Sequence, residues 1–252
     1  MPARRALVTG GSRGIGAAVA AALAEAGHAV AVHYRTGRAE AEAVLAGLAD
    51  TGHATVAGDL ADPEQARNIV AAAVAALGGV DVLVNNAGTY AEQPITSSYA
   101  DWQRSWQRII GLNVLGTANV TWAVVDHLRS RPEGPAGARI ITVGSRGAYR
   151  GEPLAPAYGA SKAAVHSLTQ SLAVALARYG IGVAAVAPGF VRTELVEALL
   201  AGPRGQDIRA QSPYGRVGEP AEVAAAVAWL ASPSAQWASG AVLDINGASY
   251  LR

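Results

Sequence analysis

The sequence has 252 residues, of which 51% are hydrophobic and 15% are charged, and its formal net charge is +1. A chain so close to neutrality lacks the basic surface that nucleic acids or anionic membranes attract, so neither partner is expected. It contains no cysteine, which excludes disulfides, thiolate metal sites and a cysteine nucleophile. Its five histidines lack metal-ligand spacing, so no metal site is expected.

The chain carries no recognisable targeting segment. Its amino terminus, MPARRALVTG, has an apolar run too short for a signal-peptide core. No run of roughly 18 apolar residues, the length needed to cross a bilayer, occurs in it. These features predict a cytoplasmic location.

Seven short runs rich in β-branched residues alternate with longer stretches that have apolar residues at helical spacing. The predicted strands are 5–9, 29–34, 54–58, 80–85, 139–143, 182–187 and 241–245. The predicted helices are 15–27, 38–50, 62–78, 101–130, 158–180 and 220–231. Because parallel strands need crossover helices, the pattern predicts one α/β domain over residues 1–252, a doubly wound parallel sheet of about seven strands with helices on both faces.

Two segments rich in glycine and proline, 131–139 and 200–213, are predicted as loops, and the second is a candidate lid. In open parallel sheets, ligands bind beyond the carboxyl ends of the strands. The residues that follow each strand are therefore the candidates for chemistry.

The first strand is followed by TGGSRGIG, in which Gly10, Gly14 and Gly16 open a helix. Glycines permit a tight turn and a close approach of the backbone, so a pyrophosphate can rest on the amides of the helix amino terminus. A turn built for packing alone remains the alternative for this motif.

The third and fourth strands also end in polar residues. Asp59 is interpreted either as an acceptor for an adenine amino group or as a helix cap, and Asp62 before Pro63 is the better cap candidate. Asn85 and Asn86 begin the segment NNAG, where asparagines are expected to hold neighbouring loops together. The glycine of this segment, residue 88, leaves room for a flat ligand.

Ser145 follows the fifth strand, and Tyr158 precedes Lys162 by one helical turn, so the phenol and the ammonium share a helix face. Lys162 is the only lysine in a chain with nineteen arginines. An ammonium is a compact point charge, whereas a guanidinium is a broad planar fork. The sequence therefore predicts a site that needs a compact cation beside Tyr158. Pro188 and Gly189 follow the sixth strand as a rigid wall.

These motifs together, with Asn113 in GLNVLG, resemble the classical short-chain dehydrogenase/reductase family over nearly the whole chain. The resemblance implies a Rossmann-like fold, a nicotinamide dinucleotide and a catalytic tetrad at Asn113, Ser145, Tyr158 and Lys162. Tyr158 would be the acid in carbonyl reduction and the base in alcohol oxidation, while Ser145 would bind the substrate oxygen. Asn113 would support a bend and a water that connects the lysine to solvent.

Lys162 is expected to hold the nicotinamide ribose and to lower the pKa of Tyr158. Bringing a phenol from a pKa of about 10 to near neutrality requires roughly 3–4 kcal/mol. A cation about 4 Å away supplies on the order of 4 kcal/mol at an effective dielectric of about 20.

The resemblance also implies a set of cofactor-binding residues. They are Gly10, Ser12, Arg13, Gly14, Ile15, Gly16, Tyr34, Arg35, Asp59, Leu60, Asn86, Ala87, Gly88, Tyr158, Lys162, Pro188, Gly189, Val191 and Thr193. The end of the second strand has no acidic residue to accept from a ribose 2′-hydroxyl and instead carries Arg35. With Arg13 opposite, this predicts NADP(H), because two guanidiniums can bind the 2′-phosphate.

The substrate is predicted to be a small carbonyl or alcohol compound. The residues expected to line its cleft are Tyr149, Arg150, Leu154, Leu195, Val196, Leu199 and Leu200. A 3-oxoacyl-carrier-protein reductase and a sugar or polyol dehydrogenase are the alternatives, and Arg129 and Arg131 would bind an acidic carrier protein or else are solvated. A non-catalytic NADP sensor is a remote alternative. The family implies a homotetramer built through its long helices and last strands.

Overall fold

A computed structural model describes residues 4–50 and 52–252 of the chain. Seven strands form one parallel sheet in the order β3-β2-β1-β4-β5-β6-β7. They are β1 Arg5–Val8, β2 Ala29–Tyr34, β3 Ala54–Ala57, β4 Val82–Asn85, β5 Arg139–Val143, β6 Gly182–Pro188 and β7 Val242–Ile245. The predicted doubly wound sheet is confirmed.

Ten α-helices connect and flank the strands in the described part of the chain. They are α1 Gly14–Glu25, α2 Arg38–Ala46, α3 Pro63–Leu77, α4 Tyr99–Ile110, α5 Thr117–Ser130, α6 Gly147–Arg150, α7 Pro156–Leu176, α8 Glu194–Leu200, α9 Gly205–Ala210 and α10 Pro220–Ala231. A π-helical segment, Gly111–Gly116, joins α4 to α5, and 3₁₀ turns span Ala177–Tyr179 and Pro233–Ala238.

Strand alternation divides the core into two layers, one on each face of the sheet. In β1, Ala6 and Val8 face a layer packed by α1, α2 and α10, whereas Leu7 faces a layer packed by α3, α5 and α7. All three side chains are fully buried. Because successive residues of a strand point to opposite faces, a strand covered on both faces is apolar throughout.

The predicted helix over 101–130 is three segments, because the π-helical turn interrupts it. The stretch Tyr99–Ser130 is long and apolar enough to span a membrane by composition. Here Ile109, Val120, Val124 and Leu128 of this stretch are fully buried, whereas Leu115 and Trp122 are exposed.

One of the two predictions about loops needs correction. The segment 200–213, predicted as a loop, contains α9, and α8 precedes it. Val196, Leu200, Ile208 and Val217 form a small core of their own, so burial of these apolar side chains stabilises helices too short to show clear periodicity. The other predicted loop, 131–139, has no helix or strand up to residue 138, and Arg139 begins β5.

Candidate active site

The segment that leads from β1 into α1 contains two glycines, Gly10 and Gly16, at which a side chain would be strained or would clash. Gly10 has a φ of +61°, and a Cβ added there would lie 3.0 Å from the Ala87 Cα. A Cβ at Gly16 would lie 2.2 Å from the carbonyl oxygen of Gly10. A side chain at Gly16 would therefore collide with the backbone, and the turn holds its backbone close to the end of β4.

Asn86 ties this turn to the segment after β4. Its Nδ2 donates to the carbonyl oxygens of Thr9 and Gly10, each at 2.9 Å. The Thr9 hydroxyl oxygen in turn accepts from the backbone N–H groups of Asn86 and Ala87, at 2.9 and 3.0 Å. The expectation that asparagine joins neighbouring loops is confirmed for this residue.

His33 is a structural residue of this region that the sequence did not identify. Its Nδ1 accepts from the Gly10 N–H at 3.0 Å, and its Nε2 lies 3.1 Å from the carbonyl oxygen of Gly58. Burial lowers the pKa of His33, so the neutral ring with the proton on Nε2 fits both contacts. The ring thereby links the glycine turn to the end of β3.

A cavity of 510 Å³ lies over the carboxyl ends of β1, β2, β3 and β4. Ten of the predicted cofactor-binding residues line it: Gly10, Ser12, Arg13, Tyr34, Arg35, Asp59, Leu60, Asn86, Ala87 and Gly88. A strand order that reverses between β1 and β4 opens such a crevice, because the crossovers leave the sheet in opposite directions there.

The two arginines predicted to read a phosphate each lie beside a carboxylate. Arg35 Nη1 is 3.6 Å from Asp59 Oδ2, and Arg13 Nη1 is 3.5 Å from Glu194 Oε2. Both guanidiniums are more than half exposed, at 56% and 67%. Exposed ion pairs of this kind contribute about 0–1 kcal/mol, so a phosphate dianion can displace the carboxylates.

Asp59 and Asp62 have separate roles in the structure. Asp62 caps α3, since its Oδ1 accepts from the backbone N–H groups of Glu64 and Gln65, and this prediction is confirmed. Asp59 accepts from the backbone N–H of Ala61 at 2.9 Å and faces Arg35, so it belongs to the turn before the helix.

A second cavity, of 270 Å³, holds the residues predicted to perform chemistry. Of the predicted residues it contains Ile15, Asn86, Gly88, Ser145, Tyr158, Lys162, Pro188, Gly189, Val191 and Thr193. Asn86 and Gly88 line both cavities, so the two are neighbours along the sheet edge. Three predicted site residues line neither cavity: Gly14, Gly16 and Asn113. The two glycines belong to the first turn of α1, and Asn113 holds the backbone after β4.

Ser145 and Tyr158 meet in this second cavity, the catalytic cleft. Ser145 Oγ accepts from the Gly147 N–H at 3.0 Å, and both Ser145 and Tyr158 line the cleft. Burial raises the pKa of Tyr158, while the nearby Ser145 hydroxyl opposes that rise. The rings of Tyr90 and Tyr158 pack edge to face with their centroids 5.2 Å apart. This packing holds the Tyr158 ring in position.

Lys162 is buried beneath Tyr158 and makes a contact that differs from the expected one. Its Nζ donates to the carbonyl oxygen of Val143 at 2.9 Å and lies 5.7 Å from the centre of the Tyr158 ring. The predicted lowering of the tyrosine pKa is therefore absent in this structure. Burial lowers the pKa of Lys162 itself to about 8.

Asn113 lies in the π-helical segment, in agreement with the predicted bend. Its Oδ1 accepts from the Thr89 N–H at 2.8 Å, and its Nδ2 donates to the Thr89 carbonyl oxygen and to Ser161 Oγ, both at 3.0 Å. These bonds join the segment after β4 to α7 one residue before Lys162. The side chain is buried, with 3% exposed.

His166 is a further residue that the sequence analysis did not single out. It continues the spacing of Tyr158 and Lys162 by one more turn of α7, and that i+4 repeat is the signal that identifies it. Its Nε2 accepts from the Ser145 N–H at 3.4 Å. Burial, with the Lys162 cation nearby, lowers the pKa of His166 to about 4, so the ring is a neutral support behind Ser145.

The residues of the two cavities fit a dinucleotide. Among residues 4–50 and 52–252, Lys162 Nζ has one hydrogen-bond acceptor, Val143, and an ammonium has three donors. Two N–H donors of a buried cation are thus available for a ligand. Gly88 lies close to this cation, since a Cβ added to it would lie 3.6 Å from Lys162 Nζ and 3.4 Å from Asn113 Oδ1.

The substrate side of the catalytic cleft is lined by a different set of side chains than expected. Val196 and Leu199 line it as predicted, and Leu200 is buried beside Val196. The side chain of Leu195 lies outside the described part of the structure.

The segment 145–158 contributes Arg146 and Glu152 to the lining of the cleft. Three residues predicted there do not line it: Tyr149, Arg150 and Leu154. Tyr149 instead packs on His166 with ring centroids 5.1 Å apart, and Arg150 and Leu154 are exposed.

Arg131 is neither solvated nor available to a carrier protein. Only 8% of its side chain is exposed, and its Nη1 lies 2.5 Å from Asp81 Oδ1. Arg129 is exposed and lies over the Tyr179 ring, 5.6 Å from its centre. The pair therefore forms no common basic surface.

Comparison with known proteins places the chain among nucleotide-dependent reductases. A family described as enoyl-(acyl carrier protein) reductase matches residues 10–248. An acetoacetyl-CoA reductase of Rhizobium meliloti is 36% identical, with 98% of this chain and 99% of that protein covered. A 3-oxoacyl-(acyl-carrier-protein) reductase of Vibrio cholerae is 37% identical, with 98% and 97% covered. A short-chain dehydrogenase of Burkholderia cenocepacia, solved in complex with NADP, superposes with a TM-score of 0.87 at 36% identity, with 98% and 97% covered.

Proposed function

The chain belongs to the short-chain dehydrogenase/reductase family, and we propose that it is an NADP(H)-dependent oxidoreductase that interconverts a carbonyl and a secondary alcohol on a small molecule. One observation carries this proposal. The cavity with the glycine turn and Arg35 adjoins, at Asn86 and Gly88, the cleft that holds Ser145 and Tyr158. A dinucleotide in the first cavity would thus extend to a substrate in the second. The whole chain would act as one catalytic domain.

The nicotinamide of NADPH, when bound, supplies the hydride. The amide groups at the start of α1 would hold its pyrophosphate, because the first N–H groups of a helix have no partner within it. Lys162 would donate to the adjoining ribose. Pro188, Gly189, Val191 and Thr193 would form the wall on the other side of the nicotinamide.

Ser145 and Tyr158 would bind the carbonyl oxygen of the substrate through their hydroxyl groups. The phenol of Tyr158 would give its proton to that oxygen as negative charge develops on it. A phenol has a reference pKa of about 10, so the hydroxyl carries at neutral pH the proton that an acid in carbonyl reduction needs. The Lys162 cation would then stabilise the phenolate that remains, and Asn113 would hold the backbone around it.

The preference for NADP(H) would come from Arg35 and Arg13. NAD-selective folds carry an acidic residue at the end of the second strand, and here that position is basic. A 2′-phosphate would form charge-assisted hydrogen bonds with both guanidiniums. The NADP complex of the Burkholderia cenocepacia relative supports this choice.

The names of the two curated relatives favour a 3-oxoacyl thioester substrate, and this is the first alternative within the proposed class. Docking of a carrier protein would not use Arg131, which is buried against Asp81. The polar side chains of the cleft, Arg146 and Glu152, support instead a smaller hydroxylated substrate. A sugar or polyol dehydrogenase is therefore the second alternative.

We place the protein in the cytoplasm as a homotetramer. Large apolar side chains are exposed on the π-helical segment, α5 and α7, with Leu115 at 55%, Trp122 at 60% and Val174 at 82%. Exposed apolar patches mark protein interfaces, and we propose that these side chains contribute to one. Pairing of these helices between copies would cover them.

Parallel kinetics with NADPH and NADH over a panel of ketones and aldehydes tests the proposed function. We expect kcat/KM to favour NADPH by at least about tenfold, a difference of roughly 1.4 kcal/mol. Arg35→Asp should erase or reverse this preference, because it removes an attraction and adds a repulsion. Arg67→Asp, at an exposed position of α3, is the matched control and should leave it intact. Equal efficiency with both cofactors in the parent enzyme would rule out phosphate recognition by Arg35.

A further inference from the structure

The catalytic cleft contains a carboxylate that the reaction itself does not use. Glu152 lines the cleft together with Tyr90 and Tyr158. It is half-buried, and no hydrogen-bond or ion-pair partner for its carboxylate occurs among residues 4–50 and 52–252. Because the carboxylate has no partner within the described part of the protein, it is available to accept a hydrogen bond from a ligand in the cleft.

The carboxylate lies next to the two hydroxyl groups that would bind the carbonyl oxygen. A Cβ at Gly147 would lie 2.6 Å from Glu152 Oε1, and Gly147 donates its N–H to Ser145 Oγ at 3.0 Å. A Cβ at Gly159, which follows Tyr158, would lie 3.5 Å from the Glu152 Cβ. Gly147, two residues after Ser145, therefore leaves the space that the Glu152 carboxylate occupies.

The electrostatic surroundings distinguish between possible substrate groups. Burial raises the pKa of Glu152, and the Arg150 and Arg146 cations oppose that rise. Neither guanidinium forms an ion pair with it in the described part of the chain. The protein therefore already places two positive charges near Glu152. We expect these charges to disfavour a cationic group on the substrate and to favour a neutral hydrogen-bond donor, such as a hydroxyl group.

We infer that Glu152 is a specificity residue that accepts a hydrogen bond from a substrate hydroxyl on the carbon next to the carbonyl. The protein is then selective for α-hydroxyketones and for the vicinal diols formed from them. This inference rests on the proposed function and narrows its substrate class. The apolar wall of Phe190, Val196 and Leu199 packs against the carbon chain of such a compound.

The test compares two ketones that differ by one hydroxyl group, acetoin and butanone, with NADPH as the reductant. The measured quantity is the ratio of their kcat/KM values. The parent enzyme should favour acetoin by at least about tenfold, the typical value of a hydrogen bond to a charged group. Glu152→Leu should reduce the ratio to near unity. Glu152→Gln, which keeps the shape and a neutral acceptor, should give an intermediate ratio.

Controls separate recognition from structure. Glu25→Gln, at an exposed position at the end of α1, should keep the parent ratio. A uniform loss of activity toward both ketones in Glu152→Leu and Glu152→Gln, with the ratio kept, would overturn the inference and give Glu152 a structural role. A preference for aminobutanone over acetoin would overturn the choice of a neutral donor. Reduction of butanone and acetoin with equal efficiency by the parent would refute the inference alone, whereas no reduction of any carbonyl compound would refute the proposed function with it.

Discussion

Lys162 is the residue at which the shape of a side chain, and not only its charge, matters most to the proposed site. The chain uses arginine at nineteen positions and lysine at this one. The structure places the ammonium in a buried space, with 7% of the residue exposed, between α7 and the end of β5. A planar guanidinium is broader than an ammonium, so we expect it to fit less well at this position beside Val143 and Tyr158.

Lys162→Arg keeps the charge and changes the shape. We expect kcat/KM with NADPH to fall by at least about tenfold and the affinity for NADPH to fall as well, because the ribose is misplaced. Steady-state kinetics and a fluorescence titration of bound NADPH measure the two effects. Arg67→Lys, an exchange in the opposite direction at an exposed position, should change neither. Parent-like values for Lys162→Arg would mean that the sole lysine is accidental.

Residues fixed by local sequence could be predicted, and residues fixed by distant packing could not. Tyr158 and Lys162 share a face through helical spacing alone, and the glycines of the first turn follow directly from their order. His33 touches Gly58 only because β2 pairs with β3 in one register. The burial of Arg131 likewise depends on Asp81, fifty positions away.

At the scale of elements, strands were easier to predict than the interruptions of helices. Burial on both faces makes a strand apolar throughout, so β2 and β5 were predicted at their observed bounds. The π-helical turn at Gly111–Gly116 leaves the apolar spacing on either side nearly unchanged, so the spacing predicted one helix, and only the family resemblance implied a bend at Asn113. It has a functional position nonetheless, because it presents Asn113 to the segment after β4 and to α7.

The exposed face of α5 provides the prediction for assembly. Trp122→Glu places a charge in an apolar surface, so the tetramer should dissociate into smaller species. Trp122→Phe keeps the surface apolar and should remain tetrameric. Light scattering at micromolar concentration measures both. A parent protein that scatters as a monomer of 25.5 kDa would contradict the proposed assembly, as would an unchanged tetramer in Trp122→Glu.

At the scale of the whole molecule, the sheet order is what joins cofactor and substrate chemistry. The chain reverses its direction of winding between β1 and β4, so the glycine turn and Asn86 lie side by side although 76 positions separate the bonded residues. The strands β5 and β6 then bring Ser145 and Pro188 to the same edge. The site residues come from the segments that follow β1, β2, β3, β4, β5 and β6, and only the complete fold assembles them.

The proposed chemistry depends most directly on the proton that Tyr158 supplies. The decisive measurement is turnover of NADPH with a reactive ketone by Tyr158→Phe and by the parent enzyme, alongside the NADPH dissociation constant of each. The phenylalanine ring keeps the packing against Tyr90 and removes the proton donor. We expect turnover to fall by at least about 100-fold while the dissociation constant changes by less than about threefold. Near-normal turnover in Tyr158→Phe, or a parent protein that binds NADPH and reduces no carbonyl compound, would contradict the assignment of this protein as a Tyr158-dependent reductase.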